Sequence, residues 1–598
     1  MERSDDLDFD PEALRARYRA ERDKRLRPDG AHQFTKAEGD LSHFKDDPHV
    51  EPGFSRVPLA DTVDVLIVGA GFGGLLLGAH LRKAGVESIR IVDRAGGFGG
   101  TWYWNRYPGA ACDTESYIYL PMLEELGYMP SGKYAKAPEI HAHCLRMARH
   151  FGLDRDTLFQ TEVTGLSWEE ASSHWIVSTN RGDAIRARFV AASPGPMDRP
   201  KLAGIAGIET FGGHAFHTSR WDYGYTGGNS DGGLTGLADK RVGIIGTGAT
   251  AVQCIPHLAA SAEQLFVFQR TPSSIDVRGD RPTDPDWAAS LEPGWQQKRL
   301  ENFTILTTGG RAEENLTNDG WTGIYRNVQR LVTERRALGE EIGDLGALAT
   351  LGDYMKMEEV RRRVDEVVMA PTTAEALKPW YDQFCKRPCF HDDYLTVFNR
   401  PNVTLVDTGG RGVDRITPNG AVVDDVEYPL DCLIYSTGFE VGAPLADRLG
   451  FTVQGRDRAT LAAHWSDGAR TLHGVMTHGF PNLFFMSHVQ TGLSLNFPHM
   501  INEQAQHVAY IVGHALASGA RAVEPTVAAE DHWVAEVERT APQIEAFQRE
   551  CTPSYFNFEG DVKRRNARNS PYGGGPMAFY RILEDWRAEG RLAGLELR

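Results

Sequence analysis

The chain is poor in cysteine and in long apolar runs, and it has no excess of positive charge. Its 598 residues include only seven scattered cysteines, an odd number without a disulfide framework, which indicates a reducing compartment. Cys385 and Cys389 form a CxxxC pair, but no second pair of Cys or His lies near, so we expect structural thiols and no metal site. The net charge of −17 argues against a nucleic-acid-binding surface, which needs clustered positive charge.

Membrane insertion is also disfavoured. The one long apolar run is Val63–Leu81, and Asp64 and several glycines interrupt it, which favours a strand, a turn and a helix over a transmembrane helix. The polar, acidic N-terminus does not resemble a signal peptide. We therefore expect a cytoplasmic protein without nucleic-acid or membrane partners, and the length predicts two or three domains.

Two separate glycine-rich turns are present, and the first belongs to a βαβ unit. The strand Val63–Ala70 runs into the sequence GAGFGG, an apolar helix follows, and Ile89–Asp93 forms the next strand. An acid at Asp93 can accept hydrogen bonds from a ribose and repels a 2′-phosphate, so this unit suits FAD or NAD and opposes NADP. The glycines that let the backbone approach a pyrophosphate at the helix N-terminus are Gly69, Gly71 and Gly74.

The second unit repeats this arrangement with the opposite charge at its end. The apolar strand Arg241–Gly248 runs into a GxGxxA turn, and Gln264–Gln269 is the following strand. Arg270 stands where Asp93 stands in the first unit, and an arginine there can contact a 2′-phosphate. We therefore expect FAD at the first unit and NADPH at the second. The residues expected to contact NADPH are Gly246, Gly248, Thr250, Ala251, Arg270 and Thr271.

Two further motifs give the pattern its specificity. The segment between the glycine-rich turns, Phe211–Asp222, reads F-x-G-x-x-x-H-x-x-x-W-D, and Gly99–Asp113 reads GGTWYWNRYPGAACD. Both resemble motifs of the type I Baeyer–Villiger monooxygenases, flavoproteins that insert one oxygen atom of O2 next to a ketone carbonyl. The fingerprint residues are Phe211, Gly213, His217 and Trp221, and we expect Gly213 to permit a tight turn.

The resemblance implies an α/β fold with two Rossmann-like dinucleotide-binding domains, a helical insertion and an N-terminal extension. Segments 160–195 read as a β-meander, and 284–380 as charged helices. The expected boundaries are 1–54 for the N-terminal extension, 55–200 for the first part of the FAD-binding domain, 201–237 for a linker with the fingerprint, 238–283 for the first part of the NADP-binding domain, 284–380 for the helical insertion, 381–425 for the second part of the NADP-binding domain, and 426–598 for the rest of the FAD-binding domain and the tail.

The resemblance also implies a mechanism. NADPH reduces FAD, O2 adds to form a C4a-peroxyflavin, and this oxidises a ketone to an ester or lactone. Arg387 is the implied catalytic cation and Asp113 its orienting partner, because guanidinium keeps its charge and pairs with carboxylate through two hydrogen bonds. The residues implied at the two cofactors are Thr101, Trp102, Asp113, Tyr119, Thr437, Gly438 and Phe439 for FAD and Lys386 for NADPH. From spacing alone, Trp102 reads equally well as a core residue, and His217 as a hydrogen-bonded linker histidine.

The tail motifs at Cys551–Gly560 and Tyr572–Pro576 resemble the subgroup that oxidises large cyclic ketones, which includes cyclopentadecanone monooxygenase, polycyclic-ketone monooxygenases and pentalenolactone D synthases. This favours a bulky cyclic ketone, such as a terpenoid intermediate of the pentalenolactone kind, with Tyr555 and Phe556 near it. Neither the particular ketone nor the oligomeric state is specified by these residues.

Three other functions fit parts of the pattern. A flavin N- or S-hydroxylating monooxygenase would use the same cofactors, but such enzymes usually close the fingerprint with Phe or Tyr, and here Trp221 closes it. A non-catalytic FAD-binding redox sensor would not need Asp113 and Arg387. A disulfide reductase would need a redox cysteine where Trp102 stands.

Overall fold

The first glycine-rich turn follows a central strand of the larger sheet, where the neighbouring strands are parallel. The computed structural model describes residues 8–337, 344–542 and 544–598. Strand Ala60–Val68 pairs in parallel with Ala184–Ala192 on one side and with Ile89–Val92 on the other. Val65, Leu66 and Ile67 are buried, as expected for a parallel strand that is covered on both faces. The sheet order is Thr452–Gln454, Val163–Glu169, His174–Thr179, Ala184–Ala192, Ala60–Val68, Ile89–Val92 and Thr157–Leu158, and Leu483–Phe485 also pairs with Ala184–Ala192.

The predicted meander is confirmed within this sheet, because its three strands pair antiparallel in sequence order. The turn after Val68 begins helix Phe72–Lys83, whose N-cap is Gly71. Both predicted dinucleotide-binding units are present, and the α/β fold with two such domains is confirmed.

The second sheet has five strands, all parallel, and it corrects one domain boundary. Its order is Val403–Asp407, Gln264–Gln269, Arg241–Ile245, Cys432–Tyr435 and His214–His217. We expected residues 426–598 to complete the FAD-binding domain, but Cys432–Tyr435 is an interior strand of the second sheet, between Arg241–Ile245 and His214–His217. A short buried strand would be equally apolar in either sheet, so its sequence does not indicate which sheet it joins. Only its tertiary contacts determine that.

The fingerprint segment was expected to be a linker, and it supplies the edge strand of this second sheet. His214–His217 pairs with Cys432–Tyr435, so that His217 lies opposite Tyr435. A small antiparallel sheet follows in the same part of the chain, formed by Arg415–Thr417, Gly420–Val423 and Val426–Pro429. The remaining two-stranded pairs are Phe34–Lys36 with Lys201–Ala203, Ile275–Asp276 with Cys389–Phe390, and Val523–Pro525 with Leu595–Leu597.

The predicted helical insertion is present in the described part of 284–380. Its helices are Pro285–Ala289, Trp295–Thr307, Gly320–Gly323, Arg326–Ala337, Leu345–Val367 and Pro371–Leu377. The other helices are Pro11–Asp23, Phe72–Lys83, Thr101–Trp104, Ser116–Tyr119, Leu123–Leu126, Ala137–His150, Tyr223–Thr226, Ala249–Ser261, Leu445–Leu449, Leu461–His464, Phe497–Ala517, Val527–Thr540, Glu545–Glu550 and Pro576–Glu589. Within the described ranges, none of the helices is long and apolar enough to cross a membrane.

The N-terminal helix packs on the body of the protein. Leu14 and Tyr18 are buried against Tyr354 of the insertion, and the Arg17 guanidinium lies 2.7 Å from the Glu375 carboxylate. Ion pairs of Arg17 with Glu375 and of Arg19 with Glu550 thus join this basic helix to acidic side chains of the same chain.

The cysteine expectation is wrong at one position. Cys385 is joined to Cys551 by a disulfide bond across 166 residues, whereas we expected a structural thiol. Cys389 is free and buried, as are the other four cysteines, and no group of metal-ligating side chains was found among the described residues. Sequence spacing could not reveal this pair, because the two residues meet only after the tail has folded back onto the second domain. A cytoplasmic location therefore stays a prediction.

Candidate active site

A cleft of about 1340 Å³ is lined by residues from both glycine-rich turns, the fingerprint-flanking loops and the tail. Parallel sheets place ligands at the carboxyl ends of their strands, and both turns follow directly after such ends. Most of the predicted cofactor residues line this cleft, namely Gly69, Gly71, Asp93, Thr101, Trp102, Asp113, Tyr119, Gly246, Gly248, Thr250, Arg270, Thr271, Lys386, Thr437, Gly438 and Phe439. Gly74 and Ala251 do not line it.

The first turn has the backbone geometry that a dinucleotide needs. Gly69 has a φ of +109°, and a Cβ there would lie 2.5 Å from the Ser193 carbonyl oxygen. A Cβ on Gly74 would lie 1.9 Å from the Gly69 carbonyl oxygen, so this glycine permits the close packing of helix on turn. Any side chain at these two positions would push the turn apart, and the site therefore fits the FAD that the sequence predicts.

Asp93 fixes this turn from the end of the second strand. Its carboxylate accepts the backbone N–H of Ala70 at 2.6 Å and that of Ala95 at 2.8 Å. Burial raises the pKa of Asp93, and the two N–H groups oppose that rise. The Asp93 carboxylate thus already accepts two backbone hydrogen bonds, and the hydrogen bond that we expect from a ribose hydroxyl would be a third. That contact with a ribose stays a prediction.

The second turn is built in the same way. Gly246 has a φ of +115°, and a Cβ there would lie 2.3 Å from the Ser436 carbonyl oxygen. Gly248 caps helix Ala249–Ser261 and faces open space, which leaves the helix N-terminus accessible to an anion. Ala251 is fully buried, so its small size serves helix–strand packing rather than coenzyme contact.

The predicted catalytic pair is formed. Arg387 donates from Nη1 to Asp113 Oδ2 at 2.8 Å and from Nη2 to Asp113 Oδ1 at 2.9 Å. Asp113 is buried, while about a third of the Arg387 side chain remains exposed toward the cleft. Burial opposes the arginine charge, but Asp113 and Tyr555 more than offset it and the pKa of Arg387 lies above its ordinary value. The guanidinium is therefore a fixed cation in the cleft.

The helical insertion places an aromatic ring beside Arg387, and the sequence analysis did not predict any site residue in this insertion. The Trp321 ring centroid lies 5.6 Å from the Arg387 Cζ, within cation–π range. Trp102 donates its indole N–H to the Tyr119 hydroxyl at 2.9 Å and also lines the cleft. Trp102 is thus a buried residue that also lines the cleft, and its contact with FAD stays a prediction.

The cations around the second turn are more numerous than expected. Arg270 and Lys386 lie in the cleft as predicted, and Lys201 joins them. Glu559 of the tail is an ion-pair partner of both Arg270 and Lys201, and Gln33 of the N-terminal extension accepts a hydrogen bond from Arg270. No sequence signal marked these three additional residues, since they come from segments far apart in the chain.

The fingerprint histidine lies outside the cleft. His217 is fully buried, and its Nδ1 lies 2.8 Å from the Ser219 hydroxyl oxygen. Burial, with Arg220 nearby, lowers the pKa of His217 to about 3, so the ring is neutral near pH 7. Its ring centroid lies 5.7 Å from that of Phe439, which does line the cleft. His217 thus supports the cleft wall through Phe439 and does not itself line the cleft.

The role expected for Gly213 is wrong. Its φ is not in the left-handed region, and a Cβ there would lie 2.6 Å from the Asp431 carbonyl oxygen and 2.7 Å from the Phe211 ring. The glycine is therefore needed for the close approach of the edge strand, not for a turn. Trp221 is buried and donates to the Thr226 hydroxyl at 3.1 Å.

Comparison with known proteins agrees with this arrangement. Residues 67–127 match the NAD(P)-binding Rossmann-like domain. The chain is 54% identical to neopentalenolactone D synthase of Streptomyces avermitilis over 98% of the chain and 99% of that protein, and 49% identical to a Baeyer–Villiger monooxygenase of Stachybotrys chlorohalonatus over 99% and 95%. The solved polycyclic ketone monooxygenase of Thermothelomyces thermophila superposes with a TM-score of 0.91 at 39% identity, covering 98% of this chain and 99% of that one. The chain belongs to the Baeyer–Villiger monooxygenases.

Proposed function

We propose that this enzyme converts a bulky cyclic ketone into a lactone, and that Arg387, held by Asp113, is its catalytic cation. The overall reaction consumes the ketone, O2, NADPH and a proton, and yields the lactone, NADP⁺ and water. The observation that carries the assignment is the two-bond pair between Arg387 and Asp113 at the wall of the cleft.

FAD and NADPH are the cofactors of this family, and the two glycine-rich turns fit them. When bound, FAD would supply electron transfer to O2 and the transfer of one oxygen atom. We assign the first turn, Asp93, Thr101, Trp102, Tyr119 and Thr437–Phe439 to FAD, because they line the cleft and match the FAD positions that the family resemblance implies. We assign the second turn, Arg270 and Lys386 to NADPH, because they add the positive charge that a 2′-phosphate needs.

Arg387 supports the chemistry by keeping its charge. A guanidinium does not give up a proton near neutral pH, so an anion beside it stays ionised. The same cation stabilises negative charge that develops on a ketone oxygen during attack. Because Asp113 fixes the guanidinium in advance, little reorganisation is needed when that charge appears.

The substrate side of the cleft is apolar. Leu493, Leu495, Tyr555 and Phe556 line it and remain between 36% and 44% exposed. Exposed apolar side chains that line a cleft favour an apolar ligand. Together with the similarity to neopentalenolactone D synthase and to a polycyclic ketone monooxygenase, this supports a polycyclic ketone such as a terpenoid biosynthetic intermediate.

The test uses purified holoenzyme with a panel of cyclic ketones and one tertiary amine. We expect NADPH-dependent lactones with one added oxygen atom by mass spectrometry, and no amine oxide. Arg387→Ala should keep flavin reduction by NADPH but lose lactone formation, because only the transfer of oxygen to the ketone needs the cation. Arg400→Ala removes an exposed arginine outside the cleft and serves as the control. Lactone formation at the native rate by Arg387→Ala, or amine oxide as the main product, would refute the assignment.

A further inference from the structure

One carboxylate lies within the cation cluster of the second turn. Glu559 Oε2 is 3.3 Å from Arg270 Nη2, and Glu559 Oε1 is 3.4 Å from Lys201 Nζ. The Glu559 side chain is only 7% exposed. Burial and the neighbouring Arg270 lower the pKa of Lys386 to about 8, and Glu559 opposes this. The cluster therefore holds three cations and one anion of the chain itself.

The backbone at Glu559 adopts an unfavourable conformation. Phe558 and Glu559 have φ values of +54° and +58°, in the left-handed region that non-glycine residues adopt rarely. Such residues persist only where their surroundings enforce them, and they concentrate at functional sites. Asn557 provides part of that enforcement, since its side-chain oxygen accepts the N–H of Ser554 at 2.9 Å and that of Gly560 at 3.2 Å.

The same segment is fastened beside the cation cluster. Cys551 is bonded to Cys385, the residue immediately before Lys386. Ser554 donates its hydroxyl to the Cys385 carbonyl oxygen at 2.7 Å. The tail therefore cannot move away from Lys386 as a whole, and Glu559 is kept within reach of the cations.

We propose that Glu559 is a specificity-determining residue for the coenzyme, because its carboxylate is ion-paired with Arg270 and Lys201, the cations that surround the 2′-phosphate subsite. This inference rests on the proposed assignment of Arg270 and Lys386 to that phosphate. Both Glu559 ion pairs are longer than the 2.7–2.9 Å typical of charge-assisted hydrogen bonds, so a phosphate that bonds the cations more closely can replace them. A 2′-phosphate must displace the carboxylate, whereas a 2′-hydroxyl can donate to it.

The consequence is that Glu559 weakens NADPH binding and supports NADH binding. Removing its charge leaves the cations without their internal partner and removes repulsion of the phosphate. We expect Glu559→Gln to bind 2′,5′-ADP about tenfold more tightly, the size of one charge-assisted contact. Binding of 5′-AMP, which has no 2′-phosphate, should not become tighter.

The experiment is calorimetric titration of the FAD-loaded full-length protein with 2′,5′-ADP and with 5′-AMP, at low and at high salt. Glu545→Gln, which neutralises an exposed glutamate of the same tail, is the matched control. For Glu559→Gln we also expect a steeper loss of 2′,5′-ADP affinity with salt, because the subsite carries one more net positive charge. Glu559→Asp, which keeps the charge and the backbone, should bind 2′,5′-ADP more weakly than Glu559→Gln.

Two outcomes separate this inference from the function on which it rests. If Arg270→Ala weakens 2′,5′-ADP binding but Glu559→Gln leaves it unchanged or weaker, the role of Glu559 is refuted and the phosphate subsite stands. If Arg270→Ala leaves binding unchanged, the subsite itself is misassigned and both proposals fail. Should Glu559→Gln lose FAD, Glu559→Asp decides instead, because its shorter side chain draws the carboxylate away from Arg270 and Lys201. We then expect Glu559→Asp to bind 2′,5′-ADP more tightly than the native protein does, and an affinity no higher than native would refute the proposal.

Discussion

Asp113→Asn tests whether the catalytic arginine must be held in place as well as charged. Asn has nearly the same shape, but its NH2 group cannot accept a hydrogen bond from a guanidinium. One of the two Arg387 bonds is therefore lost, and the other loses its ionic partner. The cation itself remains, so any loss of activity reports on its position.

The size of the effect follows from the geometry of the pair. A hydrogen bond to a charged group contributes about 1.5–3 kcal/mol. About a third of the Arg387 side chain is exposed, so water replaces part of the lost interaction. We therefore expect about 1.4–2.8 kcal/mol less transition-state stabilisation, which is about a tenfold to hundredfold slower lactone formation.

The assay separates the two halves of the reaction. Flavin reduction by NADPH without oxygen should stay close to native, because the hydride step does not need this pair. In air, lactone per NADPH consumed should fall and hydrogen peroxide should rise. Glu115→Gln breaks another buried carboxylate–arginine pair, with Arg299, outside the cleft, and should lower stability without raising peroxide. Native coupling of NADPH to lactone in Asp113→Asn would refute the argument.

Two further predictions concern pH. Because the pKa of Lys386 is lowered to about 8, its charge is present below pH 8 and is lost above it; the preference in kcat/KM for NADPH over NADH should fall between about pH 7 and pH 9. Lys386→Met should flatten that profile, and an unchanged slope would exclude Lys386 from the phosphate. Burial lowers the pKa of His473 and His499 to about 4. Below pH 6.5 these histidines are protonated in the unfolded chain but stay neutral in the folded one. The free energy of unfolding should therefore fall by about 1.4 kcal/mol per pH unit per histidine between pH 6.5 and 4. Thermal unfolding midpoints measure this, with exposed His514→Gln as an unaffected control, and a flat profile over that range would contradict the buried-histidine argument.

The local units of the fold could be predicted because each depends on neighbouring residues. An apolar strand, a glycine turn and a helix follow one another at Gly69 and again at Gly246, and steric limits at a glycine act within a few residues. The opposite charges of Asp93 and Arg270 were equally visible, since each stands at the same distance from its own turn. The pairing of Arg387 with Asp113 was expected only through the family resemblance.

Tertiary structure decided the features that join distant segments. The sequence of strand Cys432–Tyr435 would suit either sheet. The strand pairs with the fingerprint strand His214–His217, which lies more than 200 residues earlier in the chain. The Cys385–Cys551 bond and the Glu559 ion pairs also depend on where the tail lies. Sequence periodicity reports which face of an element is buried, but the partner on that face is chosen by packing and charge across the whole chain, which is why the cleft had to be seen in three dimensions.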